Sequence, residues 1–475
     1  MKFKTTPFDH QLEGLELSWK EEAYALLMEM GLGKTWVAIN TLARLMEAGE
    51  ISRALIIAPK GVYRNWELFE IPQHWPDDVP VQVLSWKGST DRSFENAWPR
   101  FMKSTRSVFL VNVDALLSPS CLRRVVEYLK AAPSAVVIDE STIIKSKDAK
   151  RTKVAAELGK LAKYRRIMTG SPVTNSPLDL FGQMLFLRPK SWPWGNFFSF
   201  RSRYAVMKDF KYGPRSFKKI TGYQRIDELQ QILASCSYRK TKAECLNLPD
   251  KIFVTRYVEL SPEQSDLYKQ LASSFYVEMA EADKAISMTT VLTRIVRLQQ
   301  VVCGHVATDD GTISHVPHQR IQAVLDVLDE SSGQVIIWAH FRHSLKELSE
   351  ALKKAYGDDS VVEYWGDTSE EDRQKAVEYF KAGKARVFLA NQAVAGRGLT
   401  LTQASLVIYY SNSYNLEQRV QSEDRAHRLG QKKAVTYVDL VSPDTVDEKI
   451  LKALKLKQNI ADQVLGDELK DWFKI

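Results

Sequence analysis

The chain has 475 residues, 44% of them hydrophobic and 26% charged, an ordinary globular composition that at this length predicts several domains with their own cores. With 22 glycines and 17 prolines it is not a disordered or collagen-like chain, and four cysteines without a C-x-x-C pair speak against a disulfide framework or a zinc site. The net charge of +8, from 66 Lys+Arg against 58 Asp+Glu, permits a polyanionic partner but does not require one.

The N-terminal stretch "MKFKTTPFDHQ" lacks the apolar core of a signal peptide. No apolar run approaches the roughly 18 residues of a membrane helix, so the expected location is the cytoplasm, with no membrane partner. "MEMGLGKT" (28–35) comes next and leads into a helix-like run. Short apolar runs at 53–59, 107–112, 134–140, 334–340, 386–391 and 405–410 predict buried parallel strands. Helically spaced segments separate them, which implies α/β lobes with parallel sheets covered on both faces.

The runs fall into two groups, so two lobes are expected. Between Arg188 and Gln319 the pattern reads as helical, with Pro262 placed to start a helix and "LNLPDKI" (246–252) as the linker. Within it, "SWPWGNFFSF" (191–200) reads either as a base-stacking platform or as an aromatic core. The basic run "KDFKYGPRSFKK" (208–219) reads either as a DNA-tracking loop or as a solvated one. The tail "DEKILKALKLKQNIADQVL" predicts a final helix. The resulting division is a first lobe over 1–190, a helical protrusion over 191–245, a linker with a second protrusion over 246–319, a second lobe over 320–450 and a terminal helix over 451–475.

Residues 28–35 have the pattern of a P-loop. Glycines 31 and 33 let the backbone approach phosphate oxygens at a helix N-terminus, Lys34 reaches the β- and γ-phosphates, and the Thr35 hydroxyl binds Mg²⁺. Met28 departs from the strict pattern, which has glycine there. "AVVIDEST" (135–142) ends an apolar strand in two carboxylates at the sheet edge where α/β sites lie. There Asp139 serves the metal and Glu140 the attacking water. In "DRAHRLGQ" (424–431) a helix would bring Arg425, Arg428 and Gln421 to one face, with Gly430 as its C-cap. Such a face is either a solvated stripe or a pair of arginine fingers for a phosphate.

These pieces occur in a series that resembles the Swi/Snf-type ATPases of helicase superfamily II. The series comprises "FDHQ" (8–11), "MGLGKT" (30–35), "APKGVYRNW" (58–66), "DEST" (139–142), "MTGSPVTN" (168–175), "RKTKAECLNLPDK" (239–251), "LTRIVRLQQVVCGH" (292–305), "GDTSEEDRQKAVEYF" (366–380), "AGRGLTLTQA" (395–404), "QSEDRAHRLGQ" (421–431) and "TVDEKI" (445–450). The resemblance covers nearly the whole chain. It implies two RecA-like lobes with helical insertions and a C-terminal helix, and the use of ATP and Mg²⁺.

By the same resemblance Gln11 reads the adenine edge, and Gly31, Gly33, Lys34, Thr35 and Gly398 surround the nucleotide. Thr35 and Asp139 serve the metal, and Glu140, Gln421, Arg425 and Arg428 serve catalysis. Thr169, Gly170 and Ser171 couple the ATP site to nucleic acid, and Lys60, Asn65, Thr400 and Thr402 touch the DNA backbone. Two departures stand out. His10 replaces a frequent aromatic, and "DEST" lacks the usual histidine that contacts the coupling segment, leaving Thr142 as a substitute.

The implied activity is that of a DNA-dependent ATPase translocating along double-stranded or branched DNA as a monomer. A compact bacterial or phage-type enzyme is expected rather than a nucleosome remodeller. A strand-separating helicase and a nucleotide-gated DNA clamp are the alternatives.

Overall fold

The computed structural model describes residues 1–465 apart from 61, 89–90, 213–214, 282–287, 308–311 and 396–398. The chain divides into two compact units. One holds Met1–Asn247 together with the end of the last helix from Lys457, and the other holds Leu248–Leu456.

All six apolar runs form strands. In the first unit the strands are β1 (Ala23–Leu26), β2 (Arg53–Ala58), β3 (Gln82–Ser85), β4 (Ser107–Asn112), β5 (Ser134–Asp139) and β6 (Tyr164–Met168). The hairpin strands β7 (Ala205–Tyr212) and β8 (Arg215–Tyr223) follow, then β9 (Ser237–Tyr238). The main sheet runs β3-β4-β2-β5-β6-β1-β9 with every pair parallel. Alternate residues feed opposite cores: Ala135 and Val137 of β5 pack on one face, Val136 and Ile138 on the other. Burial on both faces is why these strands read as unbroken apolar runs.

β6 escapes that pattern because its sequence is Tyr-Arg-Arg-Ile-Met. Its arginines reach backbone carbonyls: Arg166 donates to Ser18 O at 2.6 Å, leaving its Nε unpartnered, and Arg165 donates to Leu187 O at 2.8 Å. A buried polar group is tolerated once it is paired.

Residues 191–245, expected to be helical, contain the antiparallel hairpin β7–β8 between the helices Phe197–Tyr204 and Ile226–Ala234. β9 then joins the edge of the main sheet beside β1. The aromatics at 191–200 form a core, with Phe200 fully buried against Trp192 at a centroid distance of 5.1 Å. Phe198 alone of that run is markedly exposed, at 61%.

In the second unit a strand β10 (Lys251–Tyr257) precedes the helices Pro262–Glu281 and Met288–Val302. A short antiparallel pair follows, β11 (His305–Ala307) with β12 (Ile313–His315). The remaining strands are β13 (Gln334–Trp338), β14 (Val361–Tyr364), β15 (Val387–Ala390), β16 (Ala404–Tyr409) and β17 (Val435–Val441). They form a parallel sheet in the order β10-β17-β16-β13-β15-β14. The final helix, Val446–Leu465, begins five residues before the expected 451, and its Ala461 and Val464 join the first unit's core. All four cysteines are free thiols. Among the described residues no helix is long and apolar enough to cross a membrane.

Candidate functional site

The first site forms at the C-terminal edge of the first unit's sheet. β1 ends at Leu26, and the chain turns through residues 28–33 into the helix Lys34–Glu47. Gly31 and Gly33 have φ of +83° and +77°, a backbone state open to glycine at little cost. A Cβ on Gly33 would stand 1.9 Å from Gln11 Nε2, so a side chain there would displace the Gln11 amide. Met28, where the strict pattern has glycine, is fully buried in the core. Lys34 is 8% exposed, and its Nζ donates to Met28 O at 3.0 Å and Glu29 O at 3.2 Å, which folds the ammonium over the loop. Thr35 follows it, half-buried in the first turn.

Gln11 lies on the helix Asp9–Ser18 and engages the backbone on both sides of its amide. Its Oε1 accepts from Phe8 N at 2.9 Å, and its Nε2 donates to Leu32 O at 3.4 Å. His10 stacks on Phe8 at 5.6 Å, with Nε2 3.0 Å from Leu32 O. Both residues therefore dock this helix on the P-loop.

Asp139 closes β5, is 6% exposed, and accepts a hydrogen bond from Trp66 Nε1 at 2.9 Å. Glu140 follows with φ +49°, an uncommon state for a residue with a side chain and one often held at functional sites. The Thr169 hydroxyl donates to Glu140 Oε2 at 3.3 Å and accepts from Ser171 N at 3.2 Å. A Cβ on Gly170 would lie 3.2 Å from Met30 N, so the segment after β6 also packs on the glycine-rich turn.

A second tie runs from Ser141, which donates to Gln183 Oε1 at 2.7 Å, while Gln183 Nε2 donates to Pro172 O at 2.7 Å. These bonds connect "DEST" to residues 168–175 without a histidine, and Thr142 is buried beside them. Sequence reasoning assigned no role to Trp66, Gln183 or Arg239. The last donates to Leu27 O at 2.5 Å and Gly170 O at 3.2 Å, bridging the end of β1 to the segment after β6. Lys60 is exposed and Asn65 half-buried on the segment that leaves β2 and carries Trp66.

The donor set fits a magnesium nucleotide. Thr35 and Asp139 offer hydroxyl and carboxylate oxygens, the hard ligands Mg²⁺ takes. The two left-handed glycines at a helix start give the backbone shape that receives phosphate.

In the second unit the helix Leu416–Glu423 ends before the arginines. Arg425 and Arg428 therefore lie in the following turns rather than on a helix, and Gly430, with φ +101°, caps no helix. Long-range bonding replaces the helical ladder there: Arg425 O accepts from Leu401 N at 2.9 Å. Both guanidiniums converge on one carbonyl, Leu399 O, at 2.8 Å from Arg425 and 3.2 Å from Arg428. Gln421 joins through its backbone, which accepts from Arg425 Nε at 2.8 Å, while its side chain donates to Glu417.

Gln431 acquires a clear role. Its Nε2 donates to Thr402 O, Ala404 O and Ala426 O at 3.1, 2.9 and 3.2 Å, pinning the block onto the loop that carries Thr400 and Thr402. Gly398 lies outside the described residues. Beneath the block, Arg419 is 1% exposed and binds Asp439, Glu423 and Asn412.

Residues 10–306 match the SNF2-related domain and residues 319–430 the helicase conserved C-terminal domain. A putative ATP-dependent helicase/translocase YwqA of Bacillus subtilis is 26% identical over 484 residues, covering 98% of this chain and 49% of that protein. The SWI/SNF-related matrix-associated actin-dependent regulator of chromatin subfamily A-like protein 1 of Xenopus tropicalis is 27% identical, covering 95% and 44%. Protein CHROMATIN REMODELING 4 of Arabidopsis thaliana is 27% identical, covering 95% of this chain and 21% of its own. The chain thus spans less than half the length of these relatives. A solved Sulfolobus solfataricus SWI2/SNF2 ATPase core in complex with dsDNA aligns at 25% identity over 98% of this chain and 93% of that one, with a TM-score of 0.43.

Proposed function

This chain belongs to the SNF2-related family, and from that premise we propose that it is a DNA-dependent ATPase that moves along double-stranded DNA. One observation carries the reading: Asp139 ends a strand, and Lys34, Glu140 and Thr169 follow strands, of one sheet whose order places β6 between β5 and β1. In that arrangement the P-loop, the acid pair and the coupling segment share an edge.

Gly31, Gly33, Lys34 and Thr35 hold the phosphates, with Gln11 beside the loop. Thr35 and Asp139 hold Mg²⁺, which when bound neutralises phosphate charge. Glu140 orients the attacking water and takes its proton, and the Thr169 hydroxyl fixes that carboxylate. Arg425 and Arg428 supply positive charge to the γ-phosphate during hydrolysis, with Gln421 and Leu399 fixing their guanidiniums. Lys60, Asn65, Thr400 and Thr402 contact the DNA backbone, so the motor tracks duplex without reading sequence. The work done is branch migration, fork remodelling or displacement of bound protein. The name of the Bacillus subtilis relative supports a translocase or helicase.

ATPase rates of the full chain with duplex, single-stranded, forked and four-way DNA and with RNA test this reading. Duplex DNA is expected to stimulate hydrolysis, and the chain is expected to displace a triplex strand without unwinding a blunt duplex. Equal stimulation by RNA, or none by DNA, refutes the proposal. Unwinding of the blunt duplex replaces translocation with strand separation.

A further inference from the structure

The segment that leaves β2 returns to the end of β5, the strand with which β2 pairs at Ile57↔Ile138. It runs as a short helix, Tyr63–Asn65, and widens into a π turn, Trp66–Glu70, in which Ile71 N bonds to Trp66 O. Such turns hold an extra residue, and they recur at functional sites. The turn splits its side chains: Trp66 is 1% exposed and joins the core, whereas Leu68 and Phe69 are 59% and 62% exposed. The indole N–H of Trp66 points at Asp139 Oδ2, 2.9 Å away. That contact is not an automatic result of burial, because the buried indole nitrogens of Trp98 and Trp338 have no hydrogen-bond partner.

We propose that Trp66 is a positioning residue that sets the Asp139 carboxylate for Mg²⁺ and links it to the DNA-facing residues Lys60 and Asn65. The inference rests on the proposed roles of Asp139 at the metal and of Lys60 and Asn65 at the DNA backbone. An indole can only donate and does not titrate, so it holds Oδ2 of the ionised carboxylate as its acceptor. Groups that orient a metal ligand in this way change metal affinity or activity by about 10–100-fold when removed. Asn65 and Trp66 are neighbours in the chain, so a load on the DNA-facing segment moves the indole and, through it, the carboxylate. This route to the ATP site is separate from the Thr169–Ser171 segment.

The test measures the Mg²⁺ concentration that half-saturates binding of a fluorescent ADP analogue to the full chain, with and without duplex DNA. Trp66→Phe keeps the ring and removes the donor. Replacement of Trp66 by the isostere β-benzothienylalanine does the same with the bicyclic shape intact, should phenylalanine unfold the protein. Both are expected to raise the Mg²⁺ requirement about 10-fold or more and to abolish any effect of DNA on it. In an Asp139→Asn background the same changes are expected to add nothing. A Mg²⁺ requirement within about 2-fold of wild type, or an additive effect on Asp139→Asn, overturns the proposal alone. Wild-type binding that ignores Mg²⁺ overturns the reading of Asp139 and the proposal together.

Discussion

Replacing Arg428 by alanine separates a chemical role from a structural one, because the two roles predict losses of very different size. The side chain is half-buried, and its guanidinium shares Leu399 O with the better-placed Arg425. Losing the 3.2 Å bond leaves that carbonyl still paired, so this bond's share of the stability cost is about 0.5–1.5 kcal/mol, a melting shift of a few degrees at this size. A residue that neutralises γ-phosphate charge behaves differently, since arginine fingers contribute about 10³–10⁵ in rate. The lower figure corresponds to roughly 4 kcal/mol of activation free energy, several times the folding cost. The assay pairs equilibrium binding of a fluorescent ATP analogue with single-turnover hydrolysis on saturating duplex DNA. Binding is expected to stay within a few-fold and hydrolysis to fall at least about 10³-fold. A hydrolysis loss below about 10-fold alongside a lowered melting temperature refutes the reasoning and leaves Arg428 a packing residue.

Two further predictions concern the second unit. Arg419→Met takes the cation from the buried Asp439, which keeps the hydrogen bond from Asn412 Nδ2 at 2.7 Å, and leaves Glu423 reached by Lys251 at 3.0 Å, so denaturant unfolding should report a loss of about 3 kcal/mol. His305 is buried with its Nδ1 unpartnered, and burial, aided by the charge of His343, pushes its pKa down to about 4. The folded state therefore resists a proton that the unfolded chain accepts. This stability is fully present above about pH 6.5 and is lost as pH falls towards 4, by at most about 3 kcal/mol. His305→Phe should flatten the pH dependence of unfolding over that window; an unchanged slope rejects the assignment.

Local patterns were legible where a local reason produced them. The P-loop pattern and "DEST" stand out because they set glycines, a lysine and paired carboxylates within a few residues of one another. The six apolar runs showed themselves because a strand buried on both faces leaves no polar alternation to confuse. β6 stayed hidden because its arginines hydrogen-bond to the carbonyls of Ser18 and Leu187, which no short window around residue 165 contains. The hairpin β7–β8 stayed hidden because its lysine-rich sequence reads as polar, so its ladder rather than an apolar face marks it.

The arginine block shows the division most clearly. Sequence by itself determined that Gln421, Arg425, Arg428 and Gln431 would lie close together, since a short run of chain cannot do otherwise. Tertiary structure decided how they do so. The helix stops at Glu423, Leu401 takes the carbonyl of Arg425, and Gln431 clamps the loop at Thr402 and Ala404. The same holds for Trp66 and Asp139, 73 residues apart in the chain and 2.9 Å apart in space. A hydrogen bond is decided by where the backbone brings its two ends. Only the sheet order, with β2 beside β5, brings these two together.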